Sequence, residues 1–175
     1  MSCNCFINKK VNKNIAYINR LHLAKCSCNS RFTISERKSS FHIQPHDLSK
    51  IDKIKVDGCL IVDTNVDKCD YLFLYKYNKL NISSVIFVEL KGNDVKHAIC
   101  QLESSIDRYS NNINPLNLDV RACVVCTSYP NNNGTLNREI MRIKRKYNKK
   151  FRSFELYKSS RNMNYDCETD IYKQK

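Results

Sequence analysis

From residue 53 onward the apolar residues come in short runs, the length of strands. Residues 53–62, Lys-Ile-Lys-Val-Asp-Gly-Cys-Leu-Ile-Val, read as a strand with a bulge at Gly58. After the turn-rich stretch 63–68, residues 69–77 and 84–90 read as two more strands separated by polar residues 78–83. Three consecutive strands predict a meander. The period then changes: Val95, Ile99, Leu102, Ile106 and Tyr109 recur at helical spacing, with Asp94 placed as N-cap. Pro115 ends that pattern, and residues 118–128, rich in Val, Ala and Cys, read as a strand buried on both faces with a parallel neighbour. Thr135 is placed to cap a second helix running to about residue 149, with Ile140, Ile143 and Tyr147 inward. Residues 151–157 predict a last short strand, and 158–175 read as a frayed polar tail.

The first fifty residues are less regular. Ile15, Ile18 and Leu21 suggest a short helix, and Phe32, Ile34, Phe41 and Ile43 a strand or hairpin arm. The expected fold class is α/β: a central mixed sheet, meander plus parallel strand, flanked by helices. A single domain over 1–175 is expected, with 1–50 as a Cys-rich extension packed on or flanking the core.

Composition narrows the class. At 175 residues with 42% apolar content the chain suffices for one core. Its longest apolar runs fall far short of the roughly 20 residues that cross a bilayer, so no membrane span is expected. The N-terminus lacks the charged-then-apolar order of a secretory signal, and a cytoplasmic protein with reduced thiols is the expectation. Thirty Lys and Arg against 17 Asp and Glu give a formal charge of +13, which favours a polyanionic partner, nucleic acid first. The charge is concentrated at Arg138, Arg142, Lys144, Arg145, Lys146, Lys149 and Lys150, a density suited to phosphate contacts or to a solvated helix face.

Three charged residues interrupt the apolar runs. Asp70 opens one, and Glu89 and Lys91 end the next, two apart and therefore on the same side of a strand, with Leu90 opposite. Charge is costly in such positions unless a metal or another charge compensates it. Magnesium takes oxygen ligands and keeps several waters, so Asp70, Glu89 and the Leu90 carbonyl make a partial shell. Asp57 is a further candidate ligand or a cap for the turn at Gly58. Lys91 beside such an ion can orient a water and offset charge at a phosphoryl centre. The same three residues also read as a plain ion-pair cluster.

Asp70 followed by Glu89-Leu90-Lys91, and then by Gln101 on the next predicted helix, resembles the PD-(D/E)XK nuclease superfamily, the restriction-endonuclease-like fold, over residues 50–128. The resemblance implies a nuclease dependent on magnesium or manganese, with Asp70, Glu89, Lys91 and Gln101 catalytic and DNA favoured over RNA. It implies an acidic residue on the first helix as well. Residues 14–25 contain none, and Glu36, the nearest acid, falls in an expected loop. No target-recognition or ATPase motif accompanies the set, which leaves a homodimer or a multi-protein system as its setting. A nucleic-acid-binding module without catalysis is the rival reading. Cys3, Cys5, Cys26 and Cys28, two Cys-x-Cys pairs, are able to hold a zinc or stand as free thiols, and with zinc the chain becomes a zinc-stabilised interaction protein. Cys123 and Cys126 would point to opposite faces of one strand and are no metal pair.

Overall fold

The structure, a computed structural model, describes residues 32–44, 51–76, 82–128 and 134–173. The predicted N-terminal helix and Cys3, Cys5, Cys26 and Cys28 lie outside them. The described residues form a mixed α/β structure of two mixed sheets and two α-helices.

The larger sheet has the order β3-β4-β5-β6-β7. Its strands are β3 (Ile51–Lys55), β4 (Tyr71–Lys76), β5 (Ile82–Lys91), β6 (Asp119–Cys126) and β7 (Ser153–Ser160). β3, β4 and β5 pair antiparallel as the expected meander, while β5, β6 and β7 run parallel. Parallel neighbours need a crossover, and the two helices supply it: α1 (Val95–Ile113) links β5 to β6, and α2 (Gly134–Tyr147) links β6 to β7. The Asp94 carboxylate caps α1 by accepting the His97 amide at 3.0 Å. Thr135 lies inside the first turn of α2, so it does not precede the helix as a cap.

Strand alternation divides the core. Leu72, Leu74, Val85, Phe87, Val120, Val124 and Cys126 face the helices, meeting Ile99, Leu102, Ile106, Ile140, Ile143 and Tyr147. Phe73, Ile86, Val88, Leu90, Cys123 and Val125 face the other way. That second face is covered by a sheet, where the residue pattern predicts only flanking helices. Its strands are β1 (Thr33–Glu36), β2 (Ser39–Gln44), β8 (Asn162–Asp166) and β9 (Ile171–Lys173), in the order β1-β2-β8-β9. β2 and β8 pair in parallel, and Phe41, Ile43, Met163 and Tyr165 cover the larger sheet.

Two expectations change here. Residues 158–173, read as a frayed tail, finish β7 and form β8 and β9, because Met163 and Tyr165 find a buried apolar surface. The strand predicted over 53–62 stops at Lys55, since Gly58 adopts a left-handed φ of 71° in a turn, and only Asp57 and Ile61 bridge beyond it. Cys123 and Cys126 do face opposite cores, as expected of neighbours three apart on a strand. No helix among the described residues is long and apolar enough to cross a membrane.

Candidate active site

Pairing of β4 with β5 sets Tyr71 against Val88, so Asp70, one residue before β4, falls beside Glu89. The two residues exchange bonds. The Asp70 amide donates to Glu89 Oε2 at 3.0 Å, and the Leu90 amide donates to Asp70 Oδ2 at 2.8 Å. Lys91 Nζ is 3.7 Å from Glu89 Oε1 and donates to Gln101 Oε1 at 2.6 Å. Gln101 is held in turn by its amide, which donates to the Lys68 carbonyl at 3.0 Å. The four side chains named from the resemblance are thus brought together, with Glu89 and Lys91 on the helix face and Leu90 buried against the second sheet.

Helix α1 also fixes the approach to Asp70. Ser104 donates to the Asp67 carbonyl at 2.7 Å, and the Cys69 amide donates to Ser105 at 2.8 Å. One face of α1 therefore holds the backbone of residues 67–69 at three points. These contacts join residues 33 to 37 positions apart, and nothing in the local pattern announces them.

The electrostatics of the pair are unresolved. Glu89 is 1% exposed, and burial followed by repulsion from Asp70 pushes its carboxyl up to about 9. Burial likewise raises Asp70 to about 6, against the opposing effect of the Leu90 amide. Glu36, at the end of β1, adds to the repulsion on both carboxylates, and Asp57 adds to that on Asp70. Asp57 itself is exposed and 3.4 Å from Lys68 Nζ. The residue pattern left Glu36 in a loop; it comes close because β1 packs across the larger sheet.

Burial raises both carboxyls, and Asp70 and Glu36 raise Glu89 further, with Lys91 as the opposing charge; a divalent cation would add to it. Asp70 Oδ1 accepts from no described residue, so a ligand atom is free. Among the described residues no three His, Cys, Asp or Glu side chains gather as a ready metal shell. The donor set, two carboxylates and a strand carbonyl, fits an ion that retains waters, such as magnesium, better than one needing a full protein cage.

The basic stretch is distributed differently. Arg142 pairs with Glu103 and Glu139, Lys146 with Glu103 and Asp107, and Lys144 with Glu155. Lys150 is 4.0 Å from Asp107. Arg138, Arg145 and Lys149 form no ion pair among the described residues and are exposed. Much of the charge expected for phosphate contact is consumed between α1 and α2.

Comparison with known proteins adds no relative: no family model, no curated protein and no solved structure matches the chain.

Proposed function

We propose that this protein is a magnesium-dependent nuclease, built on a restriction-endonuclease-like core, that hydrolyses phosphodiesters of nucleic acid, DNA in preference to RNA. The observation that carries the reading is the buried Asp70–Glu89 pair, short of positive charge, with the Lys91 ammonium 3.7 Å from Glu89. Besides Lys91, only two backbone amides among the described residues, those of Leu90 and Asp70, oppose the rise. A merely structural cluster would use Lys91 for that, yet its closest partner is the neutral Gln101.

Asp70, Glu89 and the Leu90 carbonyl would hold the ion. When bound, a divalent cation supplies Lewis acidity and neutralises charge on the phosphoryl oxygens. Binding it favours the ionised form of Glu89. Lys91 lies where its ammonium orients the attacking water and offsets the charge growing on phosphorus-bound oxygen. Gln101 holds Lys91 in that position, and Lys68 holds Gln101. In the reaction the water oxygen bonds to phosphorus, the opposite P–O bond breaks, and the departing oxygen leaves with a proton.

The test is cleavage of a panel of single strands, duplexes, branched DNA and RNA with magnesium, manganese or EDTA, beside Lys91→Ala. Cleavage that needs the metal and drops by about 10² to 10⁴ in the variant is expected. No cleavage of any substrate under either metal overturns the nuclease and leaves a nucleic-acid-binding module on the same fold.

A further inference from the structure

The three parallel strands end in one row. Lys91 of β5 is opposite Cys126 of β6, and Cys126 is opposite Ser160 of β7. Arg161 follows Ser160 at the corner into β8. Its amide donates to the Cys126 carbonyl at 2.6 Å, and its carbonyl accepts from the Ser40 amide at 2.7 Å. Two strand spacings put the Arg161 backbone about 10 Å from that of Lys91. The β1–β2 turn closes over the same end of the sheet. Ser39 donates to the Lys91 carbonyl at 3.1 Å, so the turn residues just before it, Arg37 and Lys38, stand beside the candidate site.

Arg37, Lys38 and Arg161 are exposed, and none forms an ion pair among the described residues. Two of them are also strained. Arg37 has φ 52° and Arg161 φ 64°, left-handed backbone that a side chain with a Cβ disfavours and that glycine or asparagine would take more easily. The other two non-glycine residues with positive φ, Asn117 and Asp170, are of tolerant types. Arginine at both corners keeps cations at the rim against the local backbone preference. On α2, by comparison, Glu103, Asp107 and Glu139 neutralise Arg142 and Lys146, and Arg138 and Arg145, unpaired among the described residues, make no hydrogen bond or ion pair to the candidate site.

We propose that Arg37, Lys38 and Arg161 form a basic lip that grips the nucleic-acid backbone next to Lys91 and is its main hold at the site. The contacts are to phosphate, because three exposed cations on turn residues offer charge without a helix or strand face for reading base edges. The identity of the partner rests on the nuclease reading; the grip itself does not require cleavage.

Binding of a fluorescent DNA duplex is therefore measured in EDTA across a series of salt concentrations. Arg37→Asn and Arg161→Asn remove charge while suiting the left-handed backbone, and Lys38→Gln completes the triple variant. The plot of log affinity against log salt is expected to lose about 0.9 of slope per phosphate contact, about 2.7 in all, with binding weakened about tenfold or more at physiological salt. Arg37→Lys with Arg161→Lys keeps the charge and is expected to bind like the unmodified protein, which separates charge from a folding defect. Single substitutions read the same slope one contact at a time should the triple variant melt early. A loss of slope below about 0.9 overturns the lip, as does a failure of the lysine variant to bind. Loss of slope in a protein that cleaves nothing keeps the lip and removes the nuclease. Normal binding by the lip variants of a protein that does cleave removes the lip alone.

Discussion

The larger sheet carries a buried charge cluster on each face, and the two are settled in opposite ways. On the face toward β8, Arg121 is 6% exposed and donates through Nε and Nη2 to both carboxylate oxygens of Asp170, at 2.8 and 2.6 Å. Tyr165 donates to the same carboxylate at 2.6 Å, and Arg121 Nη1 reaches Ser153 at 2.9 Å. Burial pushes the Asp170 carboxyl up, but the bonds from Arg121 and Tyr165 outweigh it and hold it below the usual range. On the helix face, Asp70 and Glu89 are both pushed up, with one lysine 3.7 Å from Glu89 and bonded to the neutral Gln101. The first network is complete and ties β6 to the segment before β9, whereas the second leaves both carboxyls raised.

Glu89→Gln should separate the two most strongly. The amide can still accept from the Asp70 amide but removes the charge, so metal-dependent cleavage is expected to fall by about 10³ or more. The thermal midpoint of the metal-free protein is expected to rise at pH 8, because folding no longer has to protonate a buried carboxyl that is ionised in the unfolded chain. A variant that both cleaves normally and melts earlier would refute this account of the pair.

The pH dependence of stability comes next. Glu89 has a folded value of about 9 against an ordinary 4.5, so the folded state holds its proton more tightly. Its contribution is full below about pH 4.5 and is lost as pH rises through about 9. Asp70 acts the same way between 3.8 and about 6. Urea titrations of the metal-free protein should thus show stability declining from pH 5 to pH 9, and millimolar magnesium should flatten the decline. Asp170 predicts the reverse sign at low pH, where protonation costs the network its ionised carboxylate.

Arg121→Met tests the completed cluster. It strands a carboxylate that is part exposed, so the cost is expected at about 2 kcal/mol, under the 3 to 5 of a fully buried pair. Cleavage per folded molecule should not change. Gln101→Ala is the gentlest test, since Lys91 keeps its charge and loses only its tether. About a tenfold drop in turnover is expected, with the melting temperature nearly unchanged.

The meander, both helices and the doubly buried β6 were legible because their apolar period is strong and local. Asp70, Glu89 and Lys91 stood out for the same reason, as charges that break apolar runs. The second sheet was legible only in its hairpin, from Phe32, Ile34, Phe41 and Ile43: β8 offers only Met163 and Tyr165 as alternating apolar residues, and its parallel partner β2 lies about 120 positions away in the chain. Glu36 was missed with it, since its approach to the site depends on how one sheet packs on another. The ion pairs that consume the α2 cations come from Glu103 and Asp107 on α1, some 40 positions earlier. Charge density along a chain does not reveal which charges are already spoken for.

The pairing of Ser40 with Asn162 in β2 and β8 imposes an order of assembly during synthesis. The meander, α1 and β6 can collapse while the ribosome is still adding α2, because their contacts are short-range or close only a modest loop. Among the described residues the β1–β2 hairpin has no further partner strand until residues 162–166 have been made. A nascent chain therefore holds its carboxylate pair some time before the cationic corners are docked around it, and acquires both together only when that last parallel pairing closes.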